Sequence, residues 1–265
     1  MGKVSFFIIF SSILLLADNI LGVCCDYAIN KGNNYHALRG DGVDGLPSTH
    51  MDRLLYLTMN GSHPIQQYNV KDATQQSGSM INYVYPELYG DSKTHFYVYW
   101  TRDGYQKTGC YNLKCPGYVP EANVPIVPGI TIDSLSEPGG VKRTIICKIF
   151  KDSTGDWLLH VGFNSEPYLV GRFPKSLFTT LSEKADAVRL AGFAVTRTTN
   201  LVPMGSGFLP DNTKAASFSD IQLIDQNGVT SKVQKDQPVV IVDKKVYSAS
   251  PISNEGKFTY GRPWE

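Results

Sequence analysis

The feature that most restricts what this chain can become is a succession of short apolar segments, each closed by turn residues, running from Met80 toward the C-terminus. The segments Ile81–Tyr85, Thr94–Thr101, Arg143–Lys151, Asp156–Phe163, Val188–Thr196, Ala215–Ile224 and Val239–Tyr247 are separated by clusters of Gly, Pro, Asp and Asn, the pattern of strands joined by turns. Within Thr94–Thr101 the two-residue period puts Phe96, Val98 and Trp100 on one face and Tyr97 and Tyr99 on the other. With 15 Tyr, 12 Phe, 24 Gly, 15 Pro and only 18% charged residues, the composition favours strands and tight turns over long helices. The expected fold class is all-β: an antiparallel, two-layer β-sandwich with one short helix at Pro174–Lys184. There Pro174 opens the first turn, and Leu177, Phe178 and Leu181 form an apolar stripe.

The chain holds 265 residues, 42% of them hydrophobic, enough to bury the core of one large domain. Its N-terminus reads as a signal peptide: Lys3 precedes the apolar run Val4–Ala17, which Asp18 and Asn19 interrupt before the small residues Gly22, Cys24 and Cys25. The expected organisation is a leader over 1–25, weakly marked strands over 26–78, and the main domain over 79–265. The expected location is extracellular, with no membrane attachment after leader removal. Basic and acidic residues number 25 and 24, a formal charge of +1, so nothing in the charge balance favours a nucleic-acid partner.

Of five cysteines, Cys110 and Cys115 are expected to close a small loop in an oxidising compartment, worth about 2 kcal/mol by chain entropy. Cys147 lies in a run that is apolar on both faces and reads as a buried thiol of a core strand. The pairing of Cys24 and Cys25 depends on where the leader is cut. Asn60-Gly61-Ser62 is a glycosylation acceptor motif, in keeping with secretion.

Common catalytic signatures are absent from the sequence: no Gly-Xaa-Ser-Xaa-Gly elbow, no His-Glu-Xaa-Xaa-His zinc helix, no phosphate-cradling loop. His36, His50, His63, His95 and His160 are scattered singly, and no cofactor or metal is expected. Met204-Gly205-Ser206-Gly207 places a serine between glycines and reads as a tight turn, not as a nucleophile.

Several blocks together resemble the catalytic domain of the neprosin family of plant secreted endopeptidases. They are Pro86-Glu87-Leu88-Tyr89-Gly90-Asp91, Tyr99-Trp100-Thr101-Arg102-Asp103-Gly104-Tyr105, Thr108-Gly109-Cys110-Tyr111-Asn112-Leu113, Cys115-Pro116-Gly117, and Met204-Gly205-Ser206-Gly207 followed by Lys214-Ala215-Ala216. The resemblance covers residues 80–225 and extends to the C-terminus through Tyr260-Gly261-Arg262-Pro263, without a separate N-terminal activation region. It implies a β-sandwich and a glutamic mechanism, in which two facing carboxyls activate a water against a peptide bond, typically after proline.

Counted without gaps from the matched blocks, the two family glutamate positions fall on Ser79 and Phe193. Neither residue carries a proton in such chemistry, and Phe193 makes the expected groove apolar. The C-terminal stretch Val246–Glu265 also has no cysteine where the family commonly closes a second disulfide. The sequence therefore points to a catalytically silent relative that binds a peptide or cell-wall component in a groove lined by aromatics such as Tyr83, Tyr85, Tyr97, Tyr99, Trp100 and Tyr105. The alternatives are an active endopeptidase using other acids, drawn from Glu87, Asp91, Asp103, Glu137, Glu166 and Asp186, and a carbohydrate- or peptide-binding sandwich.

Overall fold

The structure is a computed structural model that describes residues 7–9, 13–14, 26–30, 54–60, 76–83, 86–91, 93–102, 107–133, 136, 141, 143–179, 181–183, 185, 187–193, 204–206, 208–224, 229–233, 239–240 and 247–262. Its strands, in chain order, are β1 Phe7–Ile9, β2 Ile13–Leu14, β3 Asp26–Asn30, β4 Leu54–Asn60, β5 Gln76–Tyr83, β6 His95–Thr101, β7 Cys110–Tyr111, β8 Val119–Pro120, β9 Thr144–Lys151 and β10 Trp157–Phe163. They continue as β11 Tyr168–Phe173, β12 Ala187–Phe193, β13 Met204–Gly205, β14 Ala216–Phe218, β15 Gln222–Ile224, β16 Thr230–Lys232, β17 Val239–Val240, β18 Ser248–Ala249 and β19 Phe258–Arg262. One helical turn, α1, spans Pro86–Tyr89. The fold is all-β.

An eight-stranded sheet runs β16-β15-β1-β9-β10-β11-β8, with β2 also paired to β9. A seven-stranded sheet runs β17-β3-β12-β4-β5-β6-β7, and a small third sheet gathers β13, β14 and β18 on β19. Pairing is antiparallel except that β4 runs parallel to both β12 and β5, a departure from the purely antiparallel sandwich expected. Parallel neighbours need long connections, which turn signals alone do not reveal. Two segments inside the stretch read as a leader, β1 and β2, pair with β9 through Ile8 opposite Ile149 and Ile13 opposite Ile145.

Strands β9, β10 and β11 owe their register to local turn chemistry. Between β9 and β10 the Asp152 carboxylate accepts from the backbone N–H groups of Thr154, Gly155 and Asp156, and Gly155 supplies the left-handed residue at φ 93°. After β10, Asn164 enters the left-handed region at φ 54°, and its side-chain oxygen accepts from the Thr144 N–H at 2.8 Å. Alternation then buries Ile145, Cys147 and Ile149 from β9 with Trp157, Leu159 and Val161 from β10. These join Phe96, Val98, Trp100, Leu190, Phe218 and Phe258 in one apolar core to which all three sheets contribute. Cys147 is buried there, as its apolar run implies.

The helix expected over Pro174–Lys184 is instead a single 3-10 turn, Lys175–Leu177, and Phe178 is already extended. Past that turn the chain is tied to the eight-stranded sheet instead: Leu181 O accepts from Trp157 Nε1 at 2.9 Å, and Lys151 Nζ donates to Ser182 O and Glu183 O. The β-branched pair Thr179-Thr180 further disfavours propagation. Strand Ala215–Ile224 is likewise divided into β14 and β15 around Asp220, which lies at φ 53°. No helix among the described residues is long and apolar enough to cross a membrane.

Candidate functional site

Registers across the seven-stranded sheet sort its residues into two faces. One face carries the rows Tyr27–Leu190–Leu57–Ser79–Val98 and Leu55–Ser77–Trp100–Cys110. Val98, Trp100 and Leu190 belong to the shared core, so this face looks inward. The opposite face carries Asp26–Ala191–Thr58–Met80–Tyr97 and Ala28–Arg189–Tyr56–Gly78–Tyr99–Tyr111, with Asn30–Ala187–Leu54–Gln76–Thr101 on one side of them and Phe193–Asn60 on the other.

The two positions inferred for the family glutamates are not brought together. Phe193 registers against Asn60 on the outer face, whereas Ser79 registers against Leu57 and Val98 on the core face. Between Met80 and Tyr83 three steps along β5 span only two along β6, since Met80 opposes Tyr97 and Tyr83 opposes His95, so alternation counted back from α1 does not give the face of Ser79. An ungapped count back from Pro86 crosses this irregularity, and one extra residue exchanges the faces. The outer-face neighbours of Ser79 are Gly78 and Met80.

Among the described strand residues no pair of carboxylates stands on this outer face. Among the described strand residues it carries one acid, Asp26, together with Arg189 and a preponderance of aromatic, apolar and small residues. Of the aromatics expected to line a groove, Trp100 belongs to the inner core, while Tyr97 and Tyr99 are buried on the outer side with Tyr111, at ring separations of 5.9–6.2 Å. Tyr85 and Tyr105 lie outside the described residues, as do Asp103, Glu137, Asp186, Cys24 and Cys25. Glu166 is exposed in the turn after β10, remote in sequence from the other placed acids. Asn60 ends β4 on the outer face. Ser206 is buried immediately after β13, in a turn.

At the β6–β7 end of this sheet the side chains form a connected polar cluster. Cys110 and Cys115 are joined in a disulfide, as expected, with their Cα atoms 6.1 Å apart. Inside that ring Asn112 adopts φ 53°, a region that Asn tolerates well. Its N–H donates to Val98 O at 2.7 Å, its Oδ1 accepts from Val98 N–H at 3.0 Å, and its Nδ2 donates to the Tyr89 hydroxyl at 3.0 Å. Burial pushes the Tyr89 phenol up to about 12, against which the Asn112 bond works. The Tyr89 ring lies flat on His95, centroids 3.9 Å apart and planes 6° from parallel. His95 Nε2 faces Asp91 Oδ1 at 2.9 Å and Nδ1 faces Gly129 O at 2.8 Å. The His95 hydrogen bond, with the Lys93 N–H, holds the Asp91 carboxyl below the usual carboxylate range. An acid so held is ionised at neutral pH and unsuited to the protonated half of a carboxyl pair.

The spacing of the cysteines announced this disulfide, but the Tyr89–His95–Asp91 cluster was not foreseen. Its one sequence signal is the i,i+4 separation of Asp91 and His95 beside a Tyr-Gly turn, too common to single out. Among the described residues no three His, Cys, Asp or Glu side chains gather as a metal site. The family model of Neprosin matches residues 63–263, most of the chain and upstream of residue 79, and on that match the chain belongs to the neprosin family.

Proposed function

We propose that this chain is a secreted, non-cleaving member of the neprosin family, which holds a peptide or cell-wall polymer on the outer face of its seven-stranded sheet. The observation that carries the reading is the solitary acid of that face: Asp26 stands alone on the described strands from β3 to β7. A glutamic mechanism needs two carboxyls close together, one protonated and one ionised. One general acid-base group typically contributes roughly 10²–10⁴-fold, so a face without such a pair retains little of a glutamic peptidase's rate. Phe193, Tyr56 and Met80, which register on this face along three adjacent strands, are residue types that suit packing against proline rings or sugar faces.

The test is cleavage of a proline-rich peptide by the purified protein from acidic to neutral pH, beside two double variants. One carries Ser79→Glu with Phe193→Glu, and the other Met80→Glu with Phe193→Glu. The expected result is silence of the natural protein, with any gain of cleavage confined to the Met80 pair, whose positions share a face. Cleavage by the natural protein that survives repurification overturns the reading and redirects attention to Glu87 and the other acids. Binding of the uncleaved peptide distinguishes a peptide ligand, and its absence alongside binding of a cell-wall polysaccharide favours a carbohydrate ligand. Mass analysis of the N-terminus of protein collected from culture medium tests the export leader and decides whether β1 and β2 belong to the mature chain.

A further inference from the structure

The corner where α1 leaves β5 joins three separate pieces of chain through one imidazole. His95, on β6, is 5% exposed, and each of its ring nitrogens faces an oxygen that only accepts: the Asp91 carboxylate just after α1 and the Gly129 carbonyl in the segment 127–132. A neutral imidazole has one N–H and one lone pair, and only the imidazolium has two N–H groups. We propose that Asp91, His95 and Gly129 form a proton-operated clamp. With two protons the ring ties α1 and the segment 127–132 to β6 at once, and with one proton it holds only one of them.

The geometry also says which tie is released. The bond to Asp91 joins the ring to a charged acceptor and is the stronger of the two, so the single remaining proton stays on Nε2. Nδ1 then turns a lone pair toward Gly129 O. The segment keeps its backbone bonds to β6, from Gly129 N–H to Phe96 O at 2.7 Å, Phe96 N–H to Ile130 O at 2.9 Å and Ile132 N–H to Thr94 O at 2.8 Å. Release therefore loosens the turn at Gly129 without detaching the segment.

Among the described residues few other charges surround the ring. Tyr89 covers one ring face, and its raised phenol stays neutral across the physiological range. Asp91 and the exposed Lys93 stand on the α1 side, and Tyr83 is the register partner on β5. The segment 127–132 contributes no titratable residue, Asp133 being the next along the chain. On the acid side Asp91, held low, keeps its charge until pH falls through its lowered range, and the clamp needs both that charge and a ring with two protons. It opens when either is lost. Because α1 follows β5 after two residues, closing the clamp steadies the strand that carries Gly78 and Met80, whatever that face binds.

The experiment is ring-nitrogen NMR of the natural protein from pH 4 to 8.5, with amide hydrogen exchange at Gly129 and Ile130 divided by the intrinsic rate at each pH. The expected result is a His95 ring protonated on both nitrogens at the acid end of that range and on Nε2 alone at the alkaline end. Exchange at the two amides should rise about fivefold to tenfold over the same interval, the scale of one hydrogen bond, while β9 and β10 amides hold steady. Asp91→Asn, which keeps the acceptor but not the charge, should move both transitions to lower pH. A ring that stays neutral throughout, or amides at 129 and 130 that follow those of β9 and β10, overturns the proposal.

Discussion

The β9–β10–β11 layer and the seven-stranded sheet are built by opposite rules. The first is two successive hairpins: Asp152 and Asn164 set the turns, neighbours in sequence are neighbours in space, and alternation decides what is buried. The second is assembled from afar. β12 lies between β3 and β4, more than 120 residues upstream, and β4 runs parallel to both partners. The local layer is a frame whose register its own turns enforce. The non-local layer carries the candidate site, and its register holds only while several distant segments stay in place.

The strongest test of that contrast removes a piece of the frame. Trp157 is fully buried and its indole N–H satisfies Leu181 O, so Trp157→Ala should cost about 3–5 kcal/mol and lower the denaturant midpoint of both layers together. Separate transitions for the two layers would break the idea of a frame. Gly162→Ala comes next, because a methyl there collides with the backbone oxygens of Ser165 and Glu166, which cannot swing aside. A loss of about 2–3 kcal/mol is expected in the same unfolding measurement.

In the site layer the effects should be smaller and confined. Replacing Cys110 and Cys115 by serine opens a short ring and should cost about 2 kcal/mol. Exchange should quicken at Val98 and Asn112 before β9 or β10 responds. Tyr89→Phe removes the hydroxyl that accepts from Asn112 and should cost about 1 kcal/mol. The same residue has an alkaline signature. Its phenol is raised from 10.0 to about 12, so the fold favours the protonated form, and stability present below pH 10 declines as pH climbs toward 12. Tyr89→Phe should flatten that decline in urea titrations at pH 9 to 12, and an unchanged slope would place the alkaline loss elsewhere.

Legibility from sequence divides along the same line. Thr94–Thr101, Arg143–Lys151 and Asp156–Phe163 were readable because a two-residue period and strong turn formers act locally, and the observed strands differ from the expected bounds by a residue or so. The Cys110–Cys115 ring followed from spacing, and membership of the neprosin family from the blocks around it. The helix at Pro174–Lys184 was not readable. Its C-terminal half is tied down by Trp157 and Lys151, partners supplied by tertiary structure. The face occupied by Ser79 was hidden by one irregular step in β5, which periodicity counts straight through. The His95 cluster was hidden because Gly129 is 34 residues away and contributes only a carbonyl.

Asn112 has a further consequence, at the margin of the seven-stranded sheet. By giving Val98 both a donor and an acceptor, this one residue answers the two backbone groups that an additional strand would otherwise have sought. The disulfide ring thus acts as a hem: β7 is only two residues long, and Pro116 follows within the same loop. Short strands, proline and satisfied edge groups are the devices by which β-proteins refuse end-on growth into aggregates. A protein of this composition, rich in tyrosine and strand and modest in net charge, depends on such a boundary to remain dispersed at high concentration.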